Sequence, residues 1–134
     1  MKQLLLVCVL FFQVQALSAQ AADSIRLANS KKKVPKIQTG VASYYHAKFQ
    51  GRLTASGEKY DQTKMTAAHN ALPMGTRIKV TNLRNKRWVI VTVNDRLHHR
   101  NTRLVDLSKA AASKLGYVGR GLTRVRVEIL DNGE

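Results

Sequence analysis

The sequence predicts a mainly β fold, a compact β-barrel with one or two short helices. Several short segments alternate apolar and polar residues with the period of two that buries one face of a strand. Residues that favour turns separate these segments, and only one alanine-rich stretch, which ends in a glycine, is typical of a full helix. Short strands with few helices are typical of a small barrel. A chain of 134 residues has room for one ordinary domain.

Four segments are predicted as strands. Residues 40–45 form the first, and residues 76–83 alternate through isoleucine and valine. Residues 87–93 are apolar on both faces, which predicts a central, fully buried strand, and residues 84–86 suit the hairpin turn before it. Residues 122–130 alternate valines and isoleucine with charged residues, which predicts a half-buried strand with a charged outer face.

Helices are predicted in two places. Residues 65–72 are short and alanine-rich, which favours a helical turn. A second helix should follow Asp106 or Ser108, either of which can accept hydrogen bonds from the first N–H groups of the helix, and it should end at Gly116. Residues 50–61 contain two glycines and are predicted to be a loop.

The N-terminus is predicted to be a signal peptide, residues 1–21. It has a lysine, nine apolar residues and an Ala-x-Ala site, and the apolar run is too short to span a bilayer. Residues 22–39 then read as a basic flexible linker, residues 40–130 as the barrel domain and residues 131–134 as a tail. The protein is therefore expected in the periplasm or cell envelope, with no membrane span.

Cys8 is the only cysteine and lies inside the apolar run. A lipid anchor on Cys8 is the alternative, but the apolar run before Cys8 is short and the residue preceding it is not small. The exported chain should therefore have no thiol, which excludes disulfides and thiol catalysis.

The net charge is +15, which indicates a polyanionic partner. Export makes the anionic cell envelope a more available partner than nucleic acid, and only 6% of the residues are aromatic, too few to favour base stacking. We expect a monomer that does not bind nucleic acid.

A few polar residues are candidates for chemistry. Asp95 follows the most apolar strand, where a carboxylate can lose hydration and act as a general acid, although an ion pair with Arg96 or a turn cap is the alternative. Glu58 and Asp61 lie in the loop, as second carboxylates or as solvated residues. His69 could donate to a carboxylate or sugar, or simply pack.

A metal site is not expected. The histidines show no metal-binding spacing and no cysteine pair accompanies them. They are His46, His69, His98 and His99. No organic cofactor is expected either.

Four runs of the sequence resemble the rare-lipoprotein-A (RlpA) family, in order and over residues 40–130. They are GVASYYHAKFQGRLTASGEKYD, MTAAHNALPMGTRIKVTNL, VNDR and RLVDLSKAAASKLG. The resemblance implies a six-stranded double-psi β-barrel and a lytic transglycosylase that cuts peptidoglycan glycan strands. It also implies Glu58, Asp61, His69 and Asp95 as the groove residues, with Asp95 as acid and base. One departure is Leu97-His98-His99, where the family has glycine and proline.

Five further residues are predicted to contact substrate, and they lie in or beside these runs. They are Tyr44, Tyr45, Thr54, Ser56 and Arg96. Two other functions stay open: a non-catalytic, expansin-like module that binds cell-wall glycan, and an exported interaction protein that binds cell-division or envelope proteins.

Overall fold

Six strands close into a barrel in the computed structural model, which describes residues 34–131. The strands are β1 (Ile37–Tyr44), β2 (Thr66–Ala68), β3 (Arg77–Asn82), β4 (Trp88–Asp95), β5 (Val105–Leu107) and β6 (Thr123–Asp131), with a 3-10 turn at Ala47–Phe49 and a helix, α1, at Lys109–Leu115. The order around the barrel is β1-β5-β2-β4-β3-β6. The pairs β1–β5 and β2–β4 are parallel and the other pairs are antiparallel. The predicted mainly β barrel is confirmed.

The predicted signal peptide, most of the predicted linker and the last three residues lie outside the described residues. β1 begins at Ile37, three residues before the predicted domain start, because Ile37 pairs with Glu128 on β6. β6 likewise extends to Asp131, where it pairs with Arg77. No helix within residues 34–131 has the length and apolar character to cross a membrane.

The barrel interior is filled by aliphatic side chains from the inward faces of the strands. Ile78, Val80, Val125 and Val127 are fully buried, and burying such a side chain contributes roughly 1.5–3 kcal/mol. On β6 these valines alternate with exposed arginines, so the predicted half-buried strand with a charged face is confirmed.

The prediction that β4 is buried on both faces is wrong. Trp88 and Ile90 point outward and are 56% and 36% exposed, whereas Val91 and Val93 fill the interior. A closed barrel covers only one face of each strand, so a strand can lie between two others and still expose apolar residues. The ammonium of Lys79 lies over the ring of Trp88, 4.7 Å from the ring centroid, in a cation–π contact.

The helical turn predicted for residues 65–72 is also wrong. Thr66–Ala68 forms β2, which pairs with β4 on one side and β5 on the other. Ala67 and Ala68 are buried, and their small side chains fit this crowded position. Pairing with two neighbours outweighs the helix preference of alanine, which is worth only tenths of a kcal/mol per residue.

The helix and hairpin predictions are confirmed. Ser108 caps α1, its hydroxyl accepting from the N–H of Ala111, and Gly116 ends it in the left-handed conformation at φ 78°. Lys86 takes a positive φ of 66° in the turn between β3 and β4. Asp106, the alternative cap, lies in β5 instead.

Candidate active site

A cleft of about 570 Å³ opens beside the ends of β1, β2 and β4 and along β5. It is lined by Tyr44, Tyr45, His46, Phe49, Arg52, Leu53, Thr54, Tyr60, Ala68, Asp95, Arg96, Leu97, His98, Asn101, Arg103 and Asp106. Strand ends are where side chains leave the packed interior, so the fold brings polar groups from distant parts of the sequence together here.

Asp95 is the last residue of β4 and is half-buried in this cleft. Its Oδ1 accepts from two backbone N–H groups, those of Ala55 at 2.9 Å and Arg96 at 2.8 Å. Its Oδ2 accepts from the hydroxyl of Tyr45 at 2.5 Å. The carboxylate is therefore fixed in orientation, with its two oxygens in different surroundings.

Tyr45 was predicted to contact substrate, and its hydroxyl lies on Asp95. Burial, with the neighbouring carboxylate second in importance, raises the pKa of Tyr45 far above its usual range. The hydroxyl therefore stays protonated and donates at every relevant pH. The ring packs against Tyr60, with centroids 4.3 Å apart, and against the edge of Phe49, which holds the hydroxyl in place.

The loop after the 3-10 turn reaches Asp95 through its backbone. Thr54 is buried in the cleft wall, and its hydroxyl donates to the carbonyl of Glu58 at 2.8 Å and lies 2.9 Å from that of Ser56. The N–H of Ser56 donates to the carbonyl of Asn94. These bonds hold the loop so that the N–H of Ala55 meets the carboxylate.

Glu58 and Asp61, two predicted catalytic carboxylates, are not brought to Asp95. Neither side chain lines the cleft. Glu58 is exposed, and its backbone rather than its carboxylate holds the loop. Asp61 accepts from the hydroxyl and N–H of Thr63, which lower the pKa of this carboxyl.

His69 lies beside Asp95 but with its ring turned into the protein. Its Nδ1 accepts from the N–H of Ala71 at 3.0 Å, so Nε2 carries the hydrogen and donates to Gln38 at 2.8 Å. Burial, and then the charge of Arg96, lower the pKa of His69 to about 4. The ring is therefore neutral near pH 7 and contributes no charge to the cleft.

The backbone of His69 nevertheless connects two cleft residues. Its N–H donates to the carbonyl of Asp95, and its own carbonyl accepts from the guanidinium of Arg96 at 2.7 Å. Arg96, a predicted substrate contact, lines the cleft and does not pair with the Asp95 carboxylate. Tyr44 also lines the cleft, and its hydroxyl donates to the carbonyl of Val118.

The second carboxylate in the cleft is Asp106, which the sequence suggested only as a helix cap. Ala68 of β2 is the register partner of Asp95 on one side and of Asp106 on the other. Two strand spacings separate the two aspartates, about 10 Å between their Cα atoms. Asp106 receives two parallel hydrogen bonds from Arg103, at 2.9 and 3.0 Å.

The ion pair with Asp106 holds the Arg103 guanidinium in one orientation in the cleft. The hydrogen bonds that Arg103 donates to Asp106 raise the pKa of Arg103. No local sequence pattern marks Arg103 or Asp106 as a site residue, although both lie in the run RLVDLS, which is part of the family resemblance. Among residues 34–131, no three histidine, cysteine or acidic side chains come close enough together to hold a metal ion.

The fold and the site define a six-stranded barrel protein with an open cleft that contains arginines and two carboxylates, of which Asp95 is held by two backbone N–H groups and a tyrosine and Asp106 by an ion pair. Such a carboxylate suits general acid and base chemistry on a polymer that can lie across the opening. Residues 37–127 match the family described as lytic transglycolase, and this chain belongs to that family.

Relatives with established names carry the same domain. The chain is 48% identical to the endolytic peptidoglycan transglycosylase RlpA of Pasteurella multocida, over 80% of this chain and 36% of the relative. It is 42% identical to the RlpA protein of Neisseria meningitidis, over 91% of this chain and 53% of the relative. It is 53% identical to the RlpA protein of Pseudomonas aeruginosa PAO1, over 69% of this chain and 27% of the relative. The chain thus spans about a quarter to a half of the length of these relatives.

Solved structures show the same fold at low identity. The Streptomyces papain inhibitor superposes with a TM-score of 0.60 at 23% identity, over 73% of this chain and 97% of that one. An expansin of Clavibacter michiganensis superposes with a TM-score of 0.57 at 23% identity, over 73% of this chain and 52% of that one. With the family match, these likenesses confirm the predicted double-psi β-barrel.

Proposed function

We propose that this chain is a lytic transglycosylase that cleaves the bond between N-acetylmuramic acid and N-acetylglucosamine in peptidoglycan and leaves 1,6-anhydro ends. Family membership and the names of the relatives support this substrate. The observation that carries the proposal is the Asp95 carboxylate, held in the cleft with Oδ1 on two backbone N–H groups and Oδ2 on Tyr45.

The reaction requires one residue that first gives a proton and then recovers it. Protonated Asp95 donates to the glycosidic oxygen as the bond from that oxygen to C1 of the muramic sugar breaks, and the transition state is oxocarbenium-like. The C6 hydroxyl of the same sugar then attacks C1 and returns its proton to Asp95. The glycan is split without water and the enzyme ends in its starting state.

The two carboxylate oxygens have different tasks in this proposal. Two N–H donors occupy Oδ1, so Oδ2 is the oxygen that exchanges the proton. Tyr45 orients Oδ2 and must turn or share its hydrogen bond when substrate enters. Arg52, Arg96 and Arg103 supply positive charge along the cleft for the anionic wall.

The other predicted catalytic residues act by holding the backbone around Asp95 in position. His69 holds the end of β4 and Arg96 through its backbone. Glu58 closes the loop that delivers the N–H of Ala55, and Asp61 orders the turn that follows. All three are proposed to position Asp95 and the substrate; none is placed to exchange the proton.

The protein acts after export, in the periplasm or cell envelope, on peptidoglycan glycan strands. Cell-division or envelope proteins are proposed as further partners. The sequence features behind this are the predicted signal peptide, which lies outside the described residues, and the charge of +15.

The test is mass spectrometry of material released from purified sacculi. The wild-type protein should release fragments with 1,6-anhydro ends, and Asp95→Asn should abolish release while the circular dichroism spectrum stays unchanged. Asp131→Asn is the matched control, because this carboxylate does not line the cleft and forms an exposed ion pair with Arg77, and it should retain full activity.

Two results would contradict the proposal. Fragments with free reducing ends would mean that water, rather than the C6 hydroxyl, attacks C1. Binding to sacculi with no soluble product from any variant would instead favour the expansin-like, non-catalytic function.

A further inference from the structure

The run Leu97-His98-His99 has no task in the proposed function, although Leu97 and His98 line the active-site cleft. Leu97 is only 7% exposed. Among residues 34–131, the cluster of aliphatic side chains that fills the barrel does not include Leu97. The burial of this leucine therefore arises in the cleft wall, where an apolar side chain requires an explanation other than packing of the barrel core.

The backbone at Leu97 is held by the segment that follows β2. The N–H of Leu97 donates to Oδ1 of Asn70 at 2.8 Å. The guanidinium of Arg96, one residue earlier, donates to the carbonyl of His69 at 2.7 Å. Because these two bonds lead to adjacent residues of one segment, the position of Leu97 beside Asp95 is set before any substrate binds.

Leu97 and Ala68 together form a small apolar surface next to Asp95, which we call the apolar corner. Ala68 is 1% exposed, lines the cleft and pairs with Asp95 between β2 and β4. Paired residues on neighbouring strands have Cα atoms about 5 Å apart. Leu97 follows Asp95 by two residues, so their Cα atoms are at most about 7 Å apart. The apolar corner therefore lies within reach of any group bound to the carboxylate.

The covalent structure of the substrate limits what can lie in the apolar corner. In the proposed reaction, Asp95 donates its proton to the oxygen on C1 of the muramic sugar. The next carbon of that ring, C2, carries the N-acetyl group, so a sugar bound for cleavage must bring this group close to Asp95. An N-acetyl group is an uncharged amide that ends in one methyl group, and aliphatic side chains suit that methyl group.

We propose that the apolar corner is a subsite for the methyl group of the N-acetyl substituent on the sugar whose C1 bond is cut. The inference rests on the proposed function for the identity of that sugar. The subsite selects by the size of the acyl group. A formyl group leaves Leu97 without a partner, and a propionyl group collides with Leu97, because the backbone there is held.

His98 is the donor for the carbonyl of the same acyl group. This residue follows Leu97 directly and lines the cleft. Its Nδ1 accepts from the N–H of Arg100 at 3.2 Å, so the neutral ring carries its hydrogen on Nε2 and can donate that hydrogen to the carbonyl. The ring also stacks on that of His99, with centroids 4.2 Å apart, which restricts its rotation.

The test uses soluble glycan strands whose N-acetyl groups have been removed chemically and replaced by formyl, acetyl or propionyl groups. All three amides are uncharged, so the strands differ only in acyl size. Affinities are measured by isothermal titration calorimetry on the exported form of the full chain with Asp95→Asn, so that no strand is cut. Acetyl strands should bind about fourfold more tightly than formyl strands, the effect of one buried methyl group. Propionyl strands should bind more weakly than acetyl strands.

Leu97→Ala, added to Asp95→Asn, should change this order. The shorter side chain enlarges the apolar corner, so propionyl strands should bind at least as tightly as acetyl strands, and the preference for acetyl over formyl should fall below about twofold. Leu97→Val removes fewer atoms and should shift the ratio of propionyl to acetyl affinity in the same direction by less. His98→Ala should weaken the binding of all three strands alike.

The matched control is Leu115→Val in the same Asp95→Asn protein. Leu115 is fully buried in the barrel cluster and does not line the cleft, so this variant should lose stability but keep the original order of affinities. Three outcomes would overturn the proposal: equal affinity of the Asp95→Asn protein for all three strands, an unchanged order in the Leu97 variants, or the same shift in Leu115→Val.

A second readout separates this inference from the proposed function. Release of fragments with anhydro ends is measured on acetyl strands with the native Asp95 in place. If no such fragment appears while the Leu97 variants change the order of affinities, the transglycosylase proposal fails and the subsite proposal stands. If these fragments appear while the order stays unchanged, the reverse holds.

Discussion

The hydroxyl of Tyr45 lies 2.5 Å from Oδ2 of Asp95 and joins the residue after β1 to the last residue of β4. These strands are not neighbours in the barrel, because β5 and β2 lie between them. The hydrogen bond therefore links two walls of the cleft and fixes the orientation of the Asp95 carboxylate.

Tyr45→Phe should lower kcat for release of anhydro fragments by roughly 10–100-fold, as expected when a hydrogen bond to a charged group is lost. KM should change little, because the ring and its packing remain. Tyr117→Phe is the control. Its buried hydroxyl donates to the carbonyl of Ser43 outside the reaction path, so this variant should lose stability but keep kcat. Equal kcat for Tyr45→Phe and wild type would remove Tyr45 from the mechanism.

Arg103→Lys should raise KM several-fold more than it lowers kcat. Lysine keeps the positive charge but cannot make the two parallel hydrogen bonds to Asp106. The lysine ammonium is then less firmly held and should bind the anionic glycan less tightly, while the hydrogen bonds of Asp95 stay the same. Steady-state kinetics on soluble glycan strands measure this. A loss confined to kcat would instead place Arg103 at the reacting bond.

His69 should make the fold less stable as the pH falls from about 6.5 to about 4. Its pKa is lowered from 6.5 to about 4 in the folded protein, so over this interval the unfolded chain binds a proton that the folded protein does not. The contribution is fully present above pH 6.5 and is lost by pH 4, and it amounts to at most about 3 kcal/mol.

His69→Asn tests this by urea unfolding at several pH values. Asparagine can keep an acceptor for the N–H of Ala71 but does not titrate, so the free energy of unfolding should fall less steeply below pH 6.5 than in wild type. His98→Asn is the control, at an exposed histidine whose Nδ1 likewise accepts from a backbone N–H, that of Arg100, and this variant should keep the wild-type slope. Identical slopes in all three proteins would contradict the prediction.

Asn82→Ala should destabilise the barrel by about 1–3 kcal/mol, the cost of leaving buried polar groups unpaired. The Asn82 side chain is 2% exposed; it donates to the carbonyl of Leu115 and accepts from the hydroxyl of Thr123. It thus ties β3 to α1 and β6. Asn85→Ala, which removes an exposed donor to the same carbonyl, should cost less than half as much by thermal unfolding.

The fold was largely readable from the sequence where structure is local. Alternating valines marked β6, a serine and a glycine marked the ends of α1, and residues 84–86 marked the hairpin. The sequence pattern predicts a helical turn where β2 lies and does not predict β5. Strands of three residues carry too short a pattern to be recognised, and alanines in β2 become strand only because β4 and β5 lie on either side.

The candidate site was readable only in part. Asp95 stood out because it follows an apolar strand, and the structure places it in the cleft. Asp106, by contrast, looked like a helix cap. Asp106 reaches the cleft because Ala68 of β2 pairs with Asp95 on one side and with Asp106 on the other. These two aspartates follow Ala68 in the sequence by 27 and 38 positions.

The sequence by itself determined the barrel class, the basic charge, the one helix and the most prominent carboxylate, because each depends on neighbouring residues or on composition. Only the tertiary structure decided that Tyr45 holds Asp95, that the ring of His69 is buried and neutral, and that Glu58 and Asp61 do not line the cleft. The reason is physical: hydrogen bonds and burial depend on which strands become neighbours when the barrel closes, and that order differs from their order along the chain.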